Sequence, residues 1–165
     1  MKLLTTLFLI FLGTIVAATE LPQPQGDVIL TVTGNISITN GNGEAQFDRA
    51  MIEALEHRET QTNTPWYDDS HTFSGPLGQA ILEAVGAAGQ TLRVVALNDY
   101  SADLPISDLE THPVILATHL DQEQLGIREK GPFFLIYPFD ENPELFNEVY
   151  FGRSVWQITR IEVRD

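Results

Sequence analysis

The chain has 165 residues, 23 Asp and Glu against 9 Lys and Arg, a formal net charge of −14 and no cysteine. That length suits one ordinary domain, and so acidic a chain lacks the cations that displace counterions from nucleic-acid phosphates or hold a protein on an anionic bilayer. Without a thiol, disulfides, zinc–cysteine sites, iron–sulfur clusters and cysteine nucleophiles are excluded, while 43% hydrophobic residues are enough for a core.

Residues 1–18 read as a signal peptide removed on export. Lys2 supplies the positive start, Leu3 to Val16 is apolar apart from Thr5, Thr6, Gly13 and Thr14, and Val16-Ala17-Ala18 offers small residues for cleavage. Polarity returns at Thr19-Glu20, short of the roughly 20 apolar residues that a membrane span needs. Cleavage would leave 147 residues with 8 basic against 23 acidic groups, a net charge of −15. The expected location is periplasmic or secreted, with no membrane attachment after cleavage, and stability there rests on packing without disulfides.

Residues 19–26 form an extended leader, since Pro22 and Pro24 forbid helix. From 27 to 165 the chain reads as one domain. Val28 to Thr33 is β-rich, Gly34-Asn35 has turn chemistry and Ile36 to Thr39 alternates, which predicts a hairpin. Asp48 is a helix N-cap, with Phe47 and Ile52 at hydrophobic-staple spacing. Arg58 to Thr64 reads as a threonine-rich strand closed by Pro65-Trp66, and His71 to Ser74 as another. A helix then starts at Gly75-Pro76, carries Leu77, Ile81, Leu82 and Val85 on one stripe, and ends at Gly86.

Thr91 to Leu97 is a strand that stops at Asn98-Asp99-Tyr100, followed by a short extended piece at Leu104 to Ile106 and a turn at Ser107-Asp108. Val114 to Thr118 and Phe133 to Tyr137 are apolar strands separated by a polar loop, His119 to Gly131, that holds Arg128 and Lys130. Asn142-Pro143-Glu144 begins a helical turn. The last strand, Val155 to Val163, changes parity between Ile158 and Ile161, which predicts a bulge near Thr159. Strands outnumber scattered helices, so the class is α+β, mostly β.

Most reaction chemistries find no motif. There is no G-x-S-x-G elbow and no strand–G-x-G-x-x-G–helix phosphate cradle. Asp68-Asp69 with His71 matches no metal-ligand spacing, so no metal site is assigned. His112 and His119 flank an apolar strand and stand about 20 Å apart at strand rise. What remains is a group of residues costly for a plain scaffold: Trp66 in a loop, Asn98-Asp99-Tyr100 at a strand end, Arg128 and Lys130 in one loop, and Arg153 before Trp156. Such cations could hold an anion or pair locally, Arg153 with Asp99 for example.

These pieces together resemble the molybdopterin-binding oxidoreductase family, with its sulfite-oxidase-like fold, and in particular its small exported members. The likeness runs from about Asp27 to Val163. It is carried by Thr64-Pro65-Trp66, Phe73-Ser74-Gly75-Pro76-Leu77, Ala96-Leu97-Asn98-Asp99-Tyr100, Lys130-Gly131-Pro132, Ile136-Tyr137-Pro138 and Arg153-Ser154-Val155-Trp156-Gln157. In the catalytic branch the resemblance implies a molybdenum held by a pterin dithiolene and one cysteine thiolate. The matching position here falls near Thr62. A threonine hydroxyl stays protonated at neutral pH and is no soft ligand. The family's cofactor-binding loop has the form Gly-Gly-Pro-x-Arg, which this chain replaces at Lys130-Gly131-Pro132.

The reading that follows is an exported, non-catalytic binding module for a small anion, a pterin-like ligand or a periplasmic protein partner. Thr62, Trp66, Asn98, Asp99, Tyr100, Arg128, Lys130, Gly131, Arg153 and Trp156 are its candidate site residues. The alternative is a molybdopterin-dependent oxidoreductase whose metal is ligated by oxygen or solvent. In a third reading the aromatic and cationic side chains are purely structural, with Trp66 and Trp156 covering a core edge. A site of the first kind requires Lys130, Arg153 and Trp66 to converge on one concavity.

Overall fold

Apolar alternation on one face and polar residues on the other build the largest element, a five-stranded sheet seen in a computed structural model that describes residues 21–165. The expected signal peptide, residues 1–18, lies outside the described residues. The strands are β1 (Leu30–Gly34), β2 (Ala45–Phe47), β5 (Thr91–Ala96), β6 (Ser101–Pro105) and β11 (Ile158–Arg164), in the order β2-β1-β11-β5-β6. Only β1 and β11 run parallel. Leu30, Val32, Phe47, Leu92, Val94, Leu104, Ile161 and Val163 point into the core. The opposite face carries paired charge, with Arg93 bridging to Asp103 at 2.7 Å and Arg164 pairing with Glu162.

A second sheet holds β3 (His57–Thr62), β4 (His71–Pro76), β8 (His119–Leu120) and β9 (Glu123–Gln124), all antiparallel. Beside it, β7 (Ile115–Ala117) pairs with β10 (Phe134–Ile136). This short ribbon explains the two apolar runs. Leu116, Phe133 and Leu135 face the main core, whereas Ile115, Ala117, Phe134 and Ile136 face a smaller core with Phe73 and Leu125. A ribbon covered on both faces reads as continuous hydrophobicity.

The four helices among the described residues are short: α1 (Arg49–Glu53), α2 (Gly78–Ala84), α3 (Ser107–Thr111) and α4 (Glu148–Arg153). Asp48 caps α1 as expected, its carboxylate accepting the Met51 N–H at 2.9 Å. The same carboxylate takes the N–H groups of Gln25 and Gly26, which pins the leader to the domain. At the end of α2, Ala87 N–H donates to Leu82 and Gly86 N–H to Glu83, with Gly86 at φ +58°. This is the Schellman pattern that the glycine predicted. None of the described helices is long and apolar enough to cross a membrane.

Several expectations need correction. Ile36 to Thr39 does not fold back on β1. The antiparallel partner of β1 is β2, and β11 takes the other edge. The turn residues bend the chain for another purpose: Gly34, at φ +89°, lets the backbone pass so close to β11 that a Cβ would lie 2.1 Å from the Val163 carbonyl oxygen. Helix α2 starts at Gly78, because Gly75 and Pro76 still belong to β4. The polar loop contains β8, β9 and a 3-10 turn, Ile127–Glu129. The bulge falls where expected, with the β11–β5 register shifting between Ile158 and Arg160.

Candidate functional site

Four segments converge at one end of the fold to line a cleft of about 470 Å³. Trp66 comes from the β3–β4 connection, Asn98 and Tyr100 from the β5–β6 turn, Glu148, Phe151 and Gly152 from α4, and Trp156 from the segment entering β11. Ala96, Ser154 and Val155 complete the walls. The volume lies within the range of small-molecule sites.

Each segment is held by local chemistry. In the β5–β6 turn, Ala96 N–H donates to Tyr100 and Asp99 N–H to Ala96, and Asp99 sits in the left-handed region at φ +64°. Aspartate tolerates that conformation, and a left-handed residue closing a three-residue hairpin loop is a common solution. Asn98 Oδ1 accepts the Tyr100 N–H at 3.2 Å. The result aims Asn98 and Tyr100 at the cleft, while Asp99 serves the backbone. Sequence reading placed Arg153 in a loop and missed α4. Asn147 is its N-cap, accepting the Val149 N–H at 2.9 Å, and Gly152 inside the helix hides the pattern.

The tryptophans form the back wall. Trp66 packs against both cores. Its ring meets Phe134 at 5.1 Å, Phe151 at 6.0 Å and Trp156 at 6.1 Å, each edge to face. Phe134 also meets Trp156 at 6.0 Å. Trp156 and Tyr100 stay 40% and 54% exposed, so the cleft opens to solvent through aromatic faces. Such edge-to-face contacts are worth about 0.5–1.5 kcal/mol each beyond area burial.

The structure brings Trp66, Asn98, Tyr100 and Trp156 together, and places the other candidate residues elsewhere. Arg153 turns away from the cleft and does not pair with Asp99. Its guanidinium donates to Asp108 Oδ2 at 2.9 Å and lies over the Tyr150 ring. Tyr137, fully buried, donates to the same oxygen at 2.7 Å. Burial, reinforced by the hydrogen bond to Asp108, pushes the Tyr137 phenol far above its ordinary range. Lys130 lies 4.6 Å from the centre of the Tyr67 ring, and Arg128 is exposed on the 3-10 turn. Gly131 is a packing glycine, because a Cβ there would meet the Leu125 carbonyl oxygen at 2.1 Å. Lys130 and Arg153 do not join Trp66 in this cleft, so the cationic site expected from the sequence is not formed, and what Trp66 shares instead is an aromatic cleft with Trp156. No Lys or Arg lines the cleft among the described residues, and Glu148 is its one charged group.

Thr62 tests the fit of a molybdenum cofactor. Its side chain is fully buried. The hydroxyl donates to the Asn63 carbonyl at 3.2 Å and accepts the Asp140 N–H at 3.1 Å. That places it in a backbone clamp between the β3 end and the segment after β10, with its proton engaged. The carboxylate of Asp140 accepts the backbone and side-chain N–H groups of Asn63, so the residue clamped to Thr62 brings a negative charge. The place of the arginine in Gly-Gly-Pro-x-Arg belongs to Phe134, which is 0% exposed and packed among Phe73, Trp66 and Trp156. A metal–pterin group would find neither its soft ligand nor its cations here, and these residues do not fit it. Nor do the described residues hold any cluster of three metal-ligating side chains.

No protein-family model and no curated protein sequence matches this chain. Among solved structures, it is similar to the crystal structure of the sulfane dehydrogenase SoxCD from Paracoccus pantotrophus, with a TM-score of 0.59 and 13% sequence identity. The match covers 82% of this chain and 38% of that one, so this chain corresponds to well under half of its structural neighbour. At that identity the shared property is the fold, a single small sulfite-oxidase-like α+β domain.

Proposed function

We propose that this chain is an exported, non-catalytic binding module that keeps a sulfite-oxidase-like fold and uses the Trp66–Trp156 cleft as its site. The observation that carries the reading is Thr62. The residue near the expected metal-ligand position has its hydroxyl proton engaged by the Asn63 carbonyl, and the cleft lined by Trp66 and Trp156 is aromatic. Fold likeness alone does not carry an activity. A pre-formed, largely apolar concavity with a few polar groups is what small-molecule recognition requires. Glu148, Asn98 and the Tyr100 hydroxyl supply those groups. Of the cations expected to hold an anion, Arg153 is engaged by Asp108, Lys130 by the Tyr67 ring, and Arg128 stands on the 3-10 turn outside the cleft lining. A neutral or positively charged occupant, a pterin-like ring among them, therefore suits the cleft better than an anion does.

The test uses the chain's own reporters. Its two tryptophans both line the cleft, so tryptophan emission reports on occupancy there. Protein purified from its native exported location should carry no stoichiometric molybdenum, tungsten or pterin. Titration with 6-hydroxymethylpterin and with sulfate should change the emission saturably for the first and not for the second. Stoichiometric molybdenum with a bound pterin dithiolene, or binding that leaves both tryptophans unaffected, would overturn the reading.

A further inference from the structure

The cleft's chemistry narrows its ligand further. We propose that it binds the alkylated ammonium group of a small organic cation, an inference that rests on the cleft being the binding site. Three observations carry it. First, the rings of Trp66 and Trp156 stand at 74° to each other and those of Trp66 and Phe151 at 75°. Near-perpendicular rings make a corner in which a rounded cation meets more than one aromatic surface, and tryptophan offers the strongest cation–π face. Tyr100 stands beside them with more than half its surface free.

Second, Glu148 is the one charged residue that lines the cleft among the described residues. It is exposed, and it forms none of the ion pairs among the described residues, which engage Glu141, Asp121, Asp103, Asp108 and Glu162. A carboxylate beside aromatic faces complements a positive ligand and repels an anion.

Third, the chain already puts cations on neighbouring aromatic faces. Lys130 covers Tyr67 and Arg153 covers Tyr150. The cleft is a further aromatic surface, and among the described residues no Lys or Arg covers it. An alkylated ammonium suits it better than a bare one, because methyl groups weaken hydration of the charge and add apolar contact with the rings. A bare metal ion does not suit it, since one carboxylate is too few ligands. The excess of acidic residues, a formal charge of −14, adds long-range attraction for a cation.

The experiment compares choline with its uncharged carbon isostere, 3,3-dimethylbutan-1-ol, by tryptophan emission and calorimetry on the exported chain at low salt. Choline should bind more tightly by about tenfold. Glu148→Gln should weaken choline about two- to fivefold, the range of an exposed charge pair, and leave the isostere unchanged. Glu148 is exposed on the first turn of α4, so the variant keeps its fold, checked by far-UV circular dichroism. Equal binding of the isostere, or choline binding indifferent to Glu148→Gln, would overturn the charge inference. If 6-hydroxymethylpterin binds and choline does not, the charge inference falls while the cleft remains the site. If no probe alters the tryptophans, both fall.

Discussion

Asp108→Ala offers a quantitative test of how the cleft is braced. One carboxylate oxygen accepts the Tyr137 hydroxyl at 2.7 Å and the Arg153 guanidinium at 2.9 Å, joining α3 to the segment after β10 and to the last turn of α4. Tyr137 is fully buried, so removing its acceptor leaves an unsatisfied hydroxyl at a cost of about 1–3 kcal/mol. Arg153 is a quarter exposed and regains water, which limits its share to about 1 kcal/mol. The sum is about 3 kcal/mol, or a fall in Tm of about 10 °C for a domain of this size. Tyr137→Phe removes the hydroxyl but leaves Asp108 paired, and should cost about 1 kcal/mol. In urea denaturation followed by circular dichroism, the double variant should cost no more than Asp108→Ala alone, because the orphaned hydroxyl is gone. Full additivity, or a cost below about 1 kcal/mol for Asp108→Ala, would refute the brace. The phenol gives a second handle. Its folded pKa lies above its unfolded one, so the stability it confers is complete below about pH 10 and declines as pH rises further. Spectrophotometric titration of the native protein should therefore find one of the four tyrosines silent until the chain unfolds.

Other perturbations have definite outcomes. Asp48→Asn should narrow the stability difference from wild type as pH falls: the N–H groups of Met51, Gly26 and Gln25 hold the Asp48 carboxyl below the usual range, so its contribution is present above about pH 4 and lost as pH drops through the folded value. Urea midpoints measured from pH 2 to 7 check this. Gly75→Ala should cost more than about 2 kcal/mol, since its Cβ would lie 2.2 Å from the Leu116 carbonyl oxygen, where β4 passes β7 and backbone must move. Phe134→Ala should cost about 3–5 kcal/mol and also erase much of the near-UV dichroism of both tryptophans, a pairing that thermal melts and spectra of one sample can test. An unchanged near-UV spectrum would mean that Phe134 does not hold them.

Local chemistry made parts of this fold legible. Asp48, Gly86 and the parity change at Thr159 each announce a backbone event within a few residues, and each occurs. The predicted hairpin failed for a non-local reason. Ile36 to Thr39 alternates well enough for a strand, yet the edge of β1 is taken by β11, whose register pairs Thr31 with Arg160. Nothing near Thr31 reports that competitor. The site divides the same way. Exposed aromatics at Tyr100 and Trp156 and a tryptophan after Thr-Pro at Trp66 stand out in the sequence, and they were found. The cations were read as a group because they stand out in an acidic chain, but their partners, Asp108 and the Tyr67 ring, are set by tertiary packing. Glu148 and Phe151 went unseen because a six-residue helix with a glycine inside has almost no periodic signal.

Phe134 has one more consequence. Because the same buried ring is wedged against Trp66 and Trp156, the spacing of the cleft's two tryptophans is set by the hydrophobic interior and not by the surface. The distance between these rings is fixed by the interior, so at the proposed site a thin ring or a compact head group would enter without rearrangement. A branched guest could only be admitted by prising apart a part of the molecule that keeps it folded. Mutation that enlarges the repertoire of this cleft would thus lower the melting temperature, coupling what the protein can hold to whether it stands.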